Sequence, residues 1–199
     1  MNEIFTSFVI VICSLLILWA IYFVFKPRKR AVSHAKEESG EALSKGDYFK
    51  LYAFADGKPL PLESVKDDVF NSLTLGDGIA IIPKANELYA PCDALVTSIA
   101  DTNHAVNLKC DNGIKILLHI GIDTVNLKGR FFTRHIKEGT EVKKGSKLIS
   151  FELDKIKYLK YDPTICMAIY GDKKINMIKN TDAVKSVTSK DVILAIKEM

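Results

Sequence analysis

Cysteine is scarce and scattered: Cys13, Cys92, Cys110 and Cys166 stand far apart, with no CxxC pair among them. That excludes a disulfide-dense secreted scaffold, and the four read as free thiols in a reducing compartment. A dominant charge is lacking as well, since 28 Lys and Arg face 24 Asp and Glu. A surplus of four, with no dense basic patch beyond one short run, excludes a nucleic-acid binder. Eleven glycines are too few for a collagenous chain. What is present is ordinary for a globular protein: 48% hydrophobic and 26% charged residues, so wholesale disorder is excluded. A chain of 199 residues has room for one domain and an appendage.

The composition is uneven along the chain. From Ile4 to Phe25, IFTSFVIVICSLLILWAIYFVF runs for 22 residues without a charge. As a helix it covers about 33 Å, enough for a hydrocarbon core of roughly 30 Å. Trp19 and Tyr22 lie toward the end where an aromatic belt sits, and Lys26, Arg28, Lys29 and Arg30 follow. The basic flank places the N-terminus outside and everything after Lys26 in the cytoplasm, a single-pass arrangement in the cell membrane. A cleaved signal peptide is the rival reading. It lacks its basic leading region and a small-residue cleavage site here. Residues 1–25 are therefore expected to be a transmembrane anchor. Residues 26–47 (KPRKRAVSHAKEESGEALSKGD) read as a charged linker whose basic cluster suits anionic headgroups, with His34 as a solvated histidine.

Beyond Tyr48 the pattern changes to short apolar runs punctuated by Gly, Pro, Asn and Asp. Strands are expected at 78–84, 94–100, 105–111, 114–121, 147–153 and 164–170, with short helical signals at Glu63 to Ser72 and Leu153 to Tyr161. Ala105-Val106-Asn107-Leu108-Lys109-Cys110 alternates with a period of two, and Asp111-Asn112-Gly113 is a strong hairpin signal. Gly139 and Gly145 read as turn glycines, with Val142 and Leu148 inward. That spacing recurs in biotin and lipoyl carriers, but no Met-Lys-Met or Asp-Lys-Ala hairpin is present to carry either group. The expected fold of 48–199 is mainly β: an antiparallel β-sandwich or barrel-sandwich hybrid, a duplicated hybrid motif with short helices, preceded by one transmembrane helix.

Two of the four histidines stand in an unusual setting. A lone histidine on an apolar strand is ordinarily a packed core residue. If Asn112-Gly113 forms the turn, however, His104 and His119 fall at the same end of one hairpin. A neutral imidazole is a competent nucleophile at pH 7, so two side by side can divide phosphoryl relay between attack and stabilisation. Thr102 is placed to orient His104 through its hydroxyl.

At these residues a resemblance becomes specific. Gly113-Ile114-Lys115-Ile116-Leu117-Leu118-His119-Ile120-Gly121-Ile122-Asp123-Thr124-Val125-Asn126-Leu127 resembles the signature of the glucose-family enzyme IIA domain (type 1) of the bacterial phosphoenolpyruvate-dependent sugar phosphotransferase system. Leu75-Gly76-Asp77-Gly78-Ile79-Ala80-Ile81, Ala90-Pro91-Cys92-Asp93, Thr102-Asn103-His104-Ala105 and Lys128-Gly129 fall where that family has its other motifs, so the similarity spans 48–199. The resemblance implies that His119 accepts phosphate from the histidine-containing phosphocarrier protein and passes it to a cysteine of a sugar-specific enzyme IIB. It implies that His104 steadies the phosphate, that Thr102 orients His104, and that the Gly121 carbonyl fixes the tautomer of His119. Phe70, Leu117 and Val125 would line a shallow apolar docking depression, with Asp123 at its flank; core packing is the competing reading for the three apolar residues, and a turn role for Asp123. Three positions depart from the family pattern. Ala100 stands where an aromatic residue often lines the docking face, and Ala94 and Phe131 stand where glycine is common.

The leading expectation is a membrane-tethered enzyme IIA phosphocarrier, a phosphotransferase serving sugar uptake through a separate transporter, with no cofactor. The alternative is a regulatory binding module that controls transporters or metabolic enzymes according to its phosphorylation state. A zinc peptidase has the H-x3-D spacing of His119 and Asp123 but lacks the further His-x-His, since His135 stands alone at an expected strand start. Zn2+ held by His104 and His119, adventitious or with a partner's ligand, is left open.

Overall fold

The computed structural model describes residues 48–181 and 185–198. The anchor expected over 1–25 and the linker over 26–47 lie outside them, and among the described residues no helix is long and apolar enough to cross a membrane.

The hairpin forms as its turn chemistry dictates. Gly113 adopts φ +83°, its N–H donates to the Cys110 carbonyl at 2.8 Å, and the Asn112 side chain accepts from the Ile114 N–H at 3.1 Å. The strands on either side, β6 (Ala105–Cys110) and β7 (Lys115–Ile120), pair antiparallel with Lys109 opposite Lys115 and Ala105 opposite His119. Around them are β2 (Gly57–Pro61), β3 (Asp77–Pro83), β5 (Ala94–Ile99), β9 (Glu141–Val142) and β11 (Ile165–Tyr170), completing a seven-stranded sheet ordered β2-β3-β11-β7-β6-β5-β9. Two three-stranded sheets accompany it. One is β1-β13-β12, from Phe49–Tyr52, Val192–Glu198 and Ile175–Lys179; the other is β4-β10-β8, from Glu87–Tyr89, Lys147–Phe151 and Phe132–Arg134. Every named pairing is antiparallel.

Every expected strand is found, with ends moved by one or two residues. The others carry weak local signals. Gly57–Pro61 (GKPLP) reads as a loop, yet it forms β2 because an edge strand needs no ladder N–H from Pro59 and Pro61 on its open side. The helical signal at 63–72 breaks in two, a 3-10 turn at Leu62–Ser64 and the helix α1 at Asp68–Asn71, because Val65 is extended. The second signal shortens to α2, Leu153–Tyr158.

One large core serves all three sheets, drawing Leu51, Leu194 and Ile196 from the first small sheet, Leu88, Leu148 and Phe151 from the second, and Ile79, Ile116, Leu118 and Met167 from the large one. The opposite face of β3, β11 and β7 is covered too. Ala80, Ala168, Cys166 and Ile122 pack there with Leu62, Val65 and Phe70, and Leu117 lies against them. A strand sends alternate side chains to opposite faces. Ile116, Leu118 and Ile120 therefore enter the main core, while Leu117 and His119 turn toward the smaller cluster. Coverage of both faces explains why ILLHI reads as a continuous apolar run. Lys179 fastens this cover by pairing with Asp77 of β3 and, at 3.2 Å, with Glu63 of the 3-10 turn.

Candidate functional site

His119 sits one residue from the end of β7, between Ala105 of β6 and Cys166 of β11. Past it the chain turns sharply and is held at several points. Gly121 N–H donates to the Thr164 carbonyl at 3.0 Å, Ile122 N–H to the Asp162 carbonyl at 2.8 Å, and the Thr124 hydroxyl to the Ile120 carbonyl at 2.5 Å. Gly121 has φ +72°, and a Cβ there would stand 2.4 Å from Thr124 Cγ2 and 2.9 Å from the Asp162 carbonyl oxygen. Only glycine fits both the dihedral and the space.

His104 arrives from the other strand. The turn before it closes with the Asn103 N–H on the Ala100 carbonyl at 2.7 Å, Asn103 being left-handed at φ +56°. The His104 carbonyl then accepts from Ile120 N–H at 2.8 Å, which locks the two histidines into register. Their rings meet edge to face, centroids 4.8 Å apart at an interplanar angle of 82°. Thr102 Oγ1 lies 2.5 Å from His104 Nδ1, the contact expected from the sequence. Gly129 packs against Thr102, its would-be Cβ 3.6 Å from the Thr102 Cα, so the Lys128-Gly129 turn backs the same side chain.

Phe70 covers the other side of His119, ring centroids 5.3 Å apart. Its position is set by an N-cap: the Asp67 carboxylate accepts from the N–H groups of Val69 and Phe70, each at 3.0 Å. Asp67 was not singled out in the sequence, although an Asp immediately before a short helical signal is the pattern of a cap.

Burial governs the titration of both rings. His104 is 8% exposed, and removal from water holds its pKa below the usual imidazole value. His119 is half-buried and its pKa is lowered to about 4, first by desolvation and then by the neighbouring His104; the Gly121 backbone, Asp67 and Asp123 push weakly the other way. Both rings are therefore neutral at pH 7. Nδ1 of His119 is buried and has no hydrogen-bond partner, so the Gly121 backbone acts on it by proximity without a formed bond. Cys166 behind His119 is buried, and desolvation raises its thiol pKa, so it stays a neutral thiol beside the ring.

The remaining expected positions divide by exposure. Phe70 is 4% exposed and Leu117 is half-buried against the smaller cluster, whereas Val125 is 48% exposed and Asp123 is open to solvent. Val69, beside Phe70, is also 48% exposed and is an apolar surface residue the sequence did not flag. Ala100 is half-buried and Ala94 buried. Phe131 is left-handed at φ +74°, the backbone state for which glycine is suited, and its ring packs on the main core. His135 falls just after β8 rather than at a strand start, and bonds Ser150 Oγ through Nε2 at 2.7 Å. Among the described residues no group of three or more His, Cys, Asp or Glu is placed to hold a metal. A cavity of about 580 Å3 lies at the turn end of the hairpin, lined by Asp77, Gly113, Lys115 and Tyr170, away from both histidines.

Residues 49–175 match the family described as phosphoenolpyruvate-dependent sugar phosphotransferase system, EIIA 1. The PTS system beta-glucoside-specific EIIBCA component of Halalkalibacterium halodurans is 39% identical over 127 residues, 64% of this chain but 20% of that relative. The chain thus spans about a fifth of that relative's length. Among solved structures, the glucose permease IIA from Mycoplasma capricolum is similar at a TM-score of 0.65 and 35% identity, over 76% of this chain and 96% of that one. The glucose-family resemblance carried by the two histidine motifs and the match across 49–175 agree: the chain belongs to the EIIA 1 family of the phosphoenolpyruvate-dependent sugar phosphotransferase system, a family of phosphotransfer components.

Proposed function

We propose that this chain is a membrane-tethered phosphocarrier that takes a phosphoryl group onto His119 Nε2 from the histidine-containing phosphocarrier protein and gives it to a cysteine of a sugar-specific enzyme IIB. The packing of His104 against His119, with both rings neutral, is the observation that carries the reading. The Nε2 lone pair attacks phosphorus as the donor's P–N bond breaks. His104, held through Nδ1 by Thr102, offers its other nitrogen to the phosphoryl oxygens. Nδ1 of His119 keeps its proton and donates it in a hydrogen bond to the Gly121 carbonyl as positive charge develops on the ring. The thiolate of enzyme IIB then attacks phosphorus, and the His119 P–N bond breaks. Exposed Val69 and Val125, with Asp123 at the rim, suit the docking of partners around a half-buried nucleophile.

The test combines the full chain with phosphoenolpyruvate, enzyme I and the phosphocarrier protein, and reads intact mass. One acid-labile phosphoryl group, lost in His119→Ala and kept in His104→Ala, is expected. A folded chain that gains none overturns the reading.

Residues 1–25 supply the tether, and a tether raises effective concentration beside a membrane-bound IIB–IIC partner without new contacts. Deleting residues 1–30 is expected to leave phosphorylation intact and to slow sugar uptake in cells. Equal uptake by the truncated protein overturns the tethering.

A further inference from the structure

We propose that Cys92 and Cys110 form a reversible intramolecular disulfide that clamps the segment carrying Thr102 and His104. The two sulfurs stand 2.8 Å apart, and both residues are buried, at 4% and 2% exposure. A disulfide bond measures about 2.05 Å, so a closing of under about 1 Å completes it, within the reach of side-chain rotation. The backbone already holds the two ends together. Cys110 ends β6 and pairs with Ala94, the first residue of β5, and Cys92 lies two positions before Ala94. The Cys92 thiol resists ionisation, first through its contact with Cys110 and then through burial, so Cys92 rests as the neutral thiol.

The position gives the bond a consequence. The two cysteines are 18 positions apart, and the loop they would close contains β5, the turn at Ala100–Asn103, and both Thr102 and His104. Such a bridge restricts the unfolded chain more than the folded one. Burial selects the oxidant: hydrogen peroxide is small enough to reach the pair, where a bulky disulfide is not. One sulfur attacks a peroxide oxygen as its thiol proton passes to the departing hydroxide; the O–O bond breaks, and a sulfenic acid and water result. The second sulfur attacks the first, the S–O bond breaks, and a second water leaves with the remaining thiol proton. Two electrons pass from the two sulfurs to peroxide, and a dithiol reductant returns them.

The full chain is treated with hydrogen peroxide, unfolded, alkylated with N-ethylmaleimide and mapped by peptide mass. The expected product has lost two hydrogens, contains a linked Cys92–Cys110 peptide, and reverts with dithiothreitol. Its melting midpoint is expected to rise by roughly 5–10 °C over the reduced chain. Cys110→Ser removes both effects; should that variant fail to fold, the map of the unmutated chain decides. Full alkylation of both cysteines after peroxide, their conversion to sulfinic acid, or bonds to Cys13 or Cys166 instead would overturn the pairing. A linked chain with an unchanged midpoint overturns the clamp.

Discussion

His104 and His119 meet edge to face at 4.8 Å because the Ile120 N–H donates to the His104 carbonyl, a single ladder bond that sets two side chains from different strands into one site. A shift of one residue in that pairing would send His119 into the main core in place of Leu118. The site is therefore a consequence of register, and the turn at Asn112-Gly113 sets the register.

Loss of His104, unlike loss of His119, is expected to separate acceptance from transfer. His119→Ala removes the nucleophile, and no acid-labile phosphate forms. His104→Gln keeps the nucleophile but loses the partner that stabilises the moving phosphoryl group; onward transfer to enzyme IIB falls by about 100-fold or more while acceptance survives. Single-turnover transfer measured with purified partners checks both, and equal loss of both steps in His104→Gln would refute the division of labour.

Thr102→Val replaces the hydroxyl that holds His104 Nδ1 with a methyl of similar size. A cost of about 1 kcal/mol in stability is expected. The nitrogen chemical shifts of His104 should move as its tautomer is released, with onward transfer slowed. An unchanged shift would show that Thr102 is a spectator.

The pH dependence follows from burial. Both histidines have lowered pKa values when folded, His119 at about 4, and titrate near the usual value of about 6.5 when unfolded. Between these values the unfolded chain binds more protons. Stability is therefore full above about pH 6.5 and falls as pH drops toward 4, by about 2–3 kcal/mol for His119. An NMR titration of the imidazole protons is expected to show no charging of His119 from about pH 7.5 down to about pH 5. A midpoint between about 6 and 7 for His119 refutes the desolvated site.

Gly121→Ala forces a Cβ into Thr124 Cγ2 and the Asp162 carbonyl on a left-handed backbone. It is expected to cost about 2–4 kcal/mol in a urea titration. Phosphate acceptance should fall with it, because the displaced turn carries the strand end that bears His119. Stability within about 0.5 kcal/mol of the parent would contradict the packing described.

Asp67→Ala removes the cap that aims Phe70 at His119. The expected cost is about 1 kcal/mol, and Asp67→Asn, which still accepts from the helix N–H groups, should recover most of it. A failure of Asn to rescue would assign the effect to charge rather than capping.

The sequence alone determined the hairpin, its two strands and the histidine pair, because each rests on neighbours in the chain: alternation in Ala105–Cys110, a turn at Asn112-Gly113, and equal distances from it. The left-handed position at Gly113 was legible for the same reason, as glycine marks a local dihedral demand, whereas that of Gly121 emerged only from the packed turn. Tertiary structure alone decided which face of ILLHI meets His104 and Phe70, since both faces are apolar and covered. It decided that Phe70 is buried against His119 rather than open to a partner, and that Cys166 backs the ring. It also brought Cys92 against Cys110. These contacts join residues far apart in sequence, and no local period or turn residue encodes them. They arise only when sheet register and the capped helix α1 are both in place, because desolvation of a histidine is a property of everything packed around it.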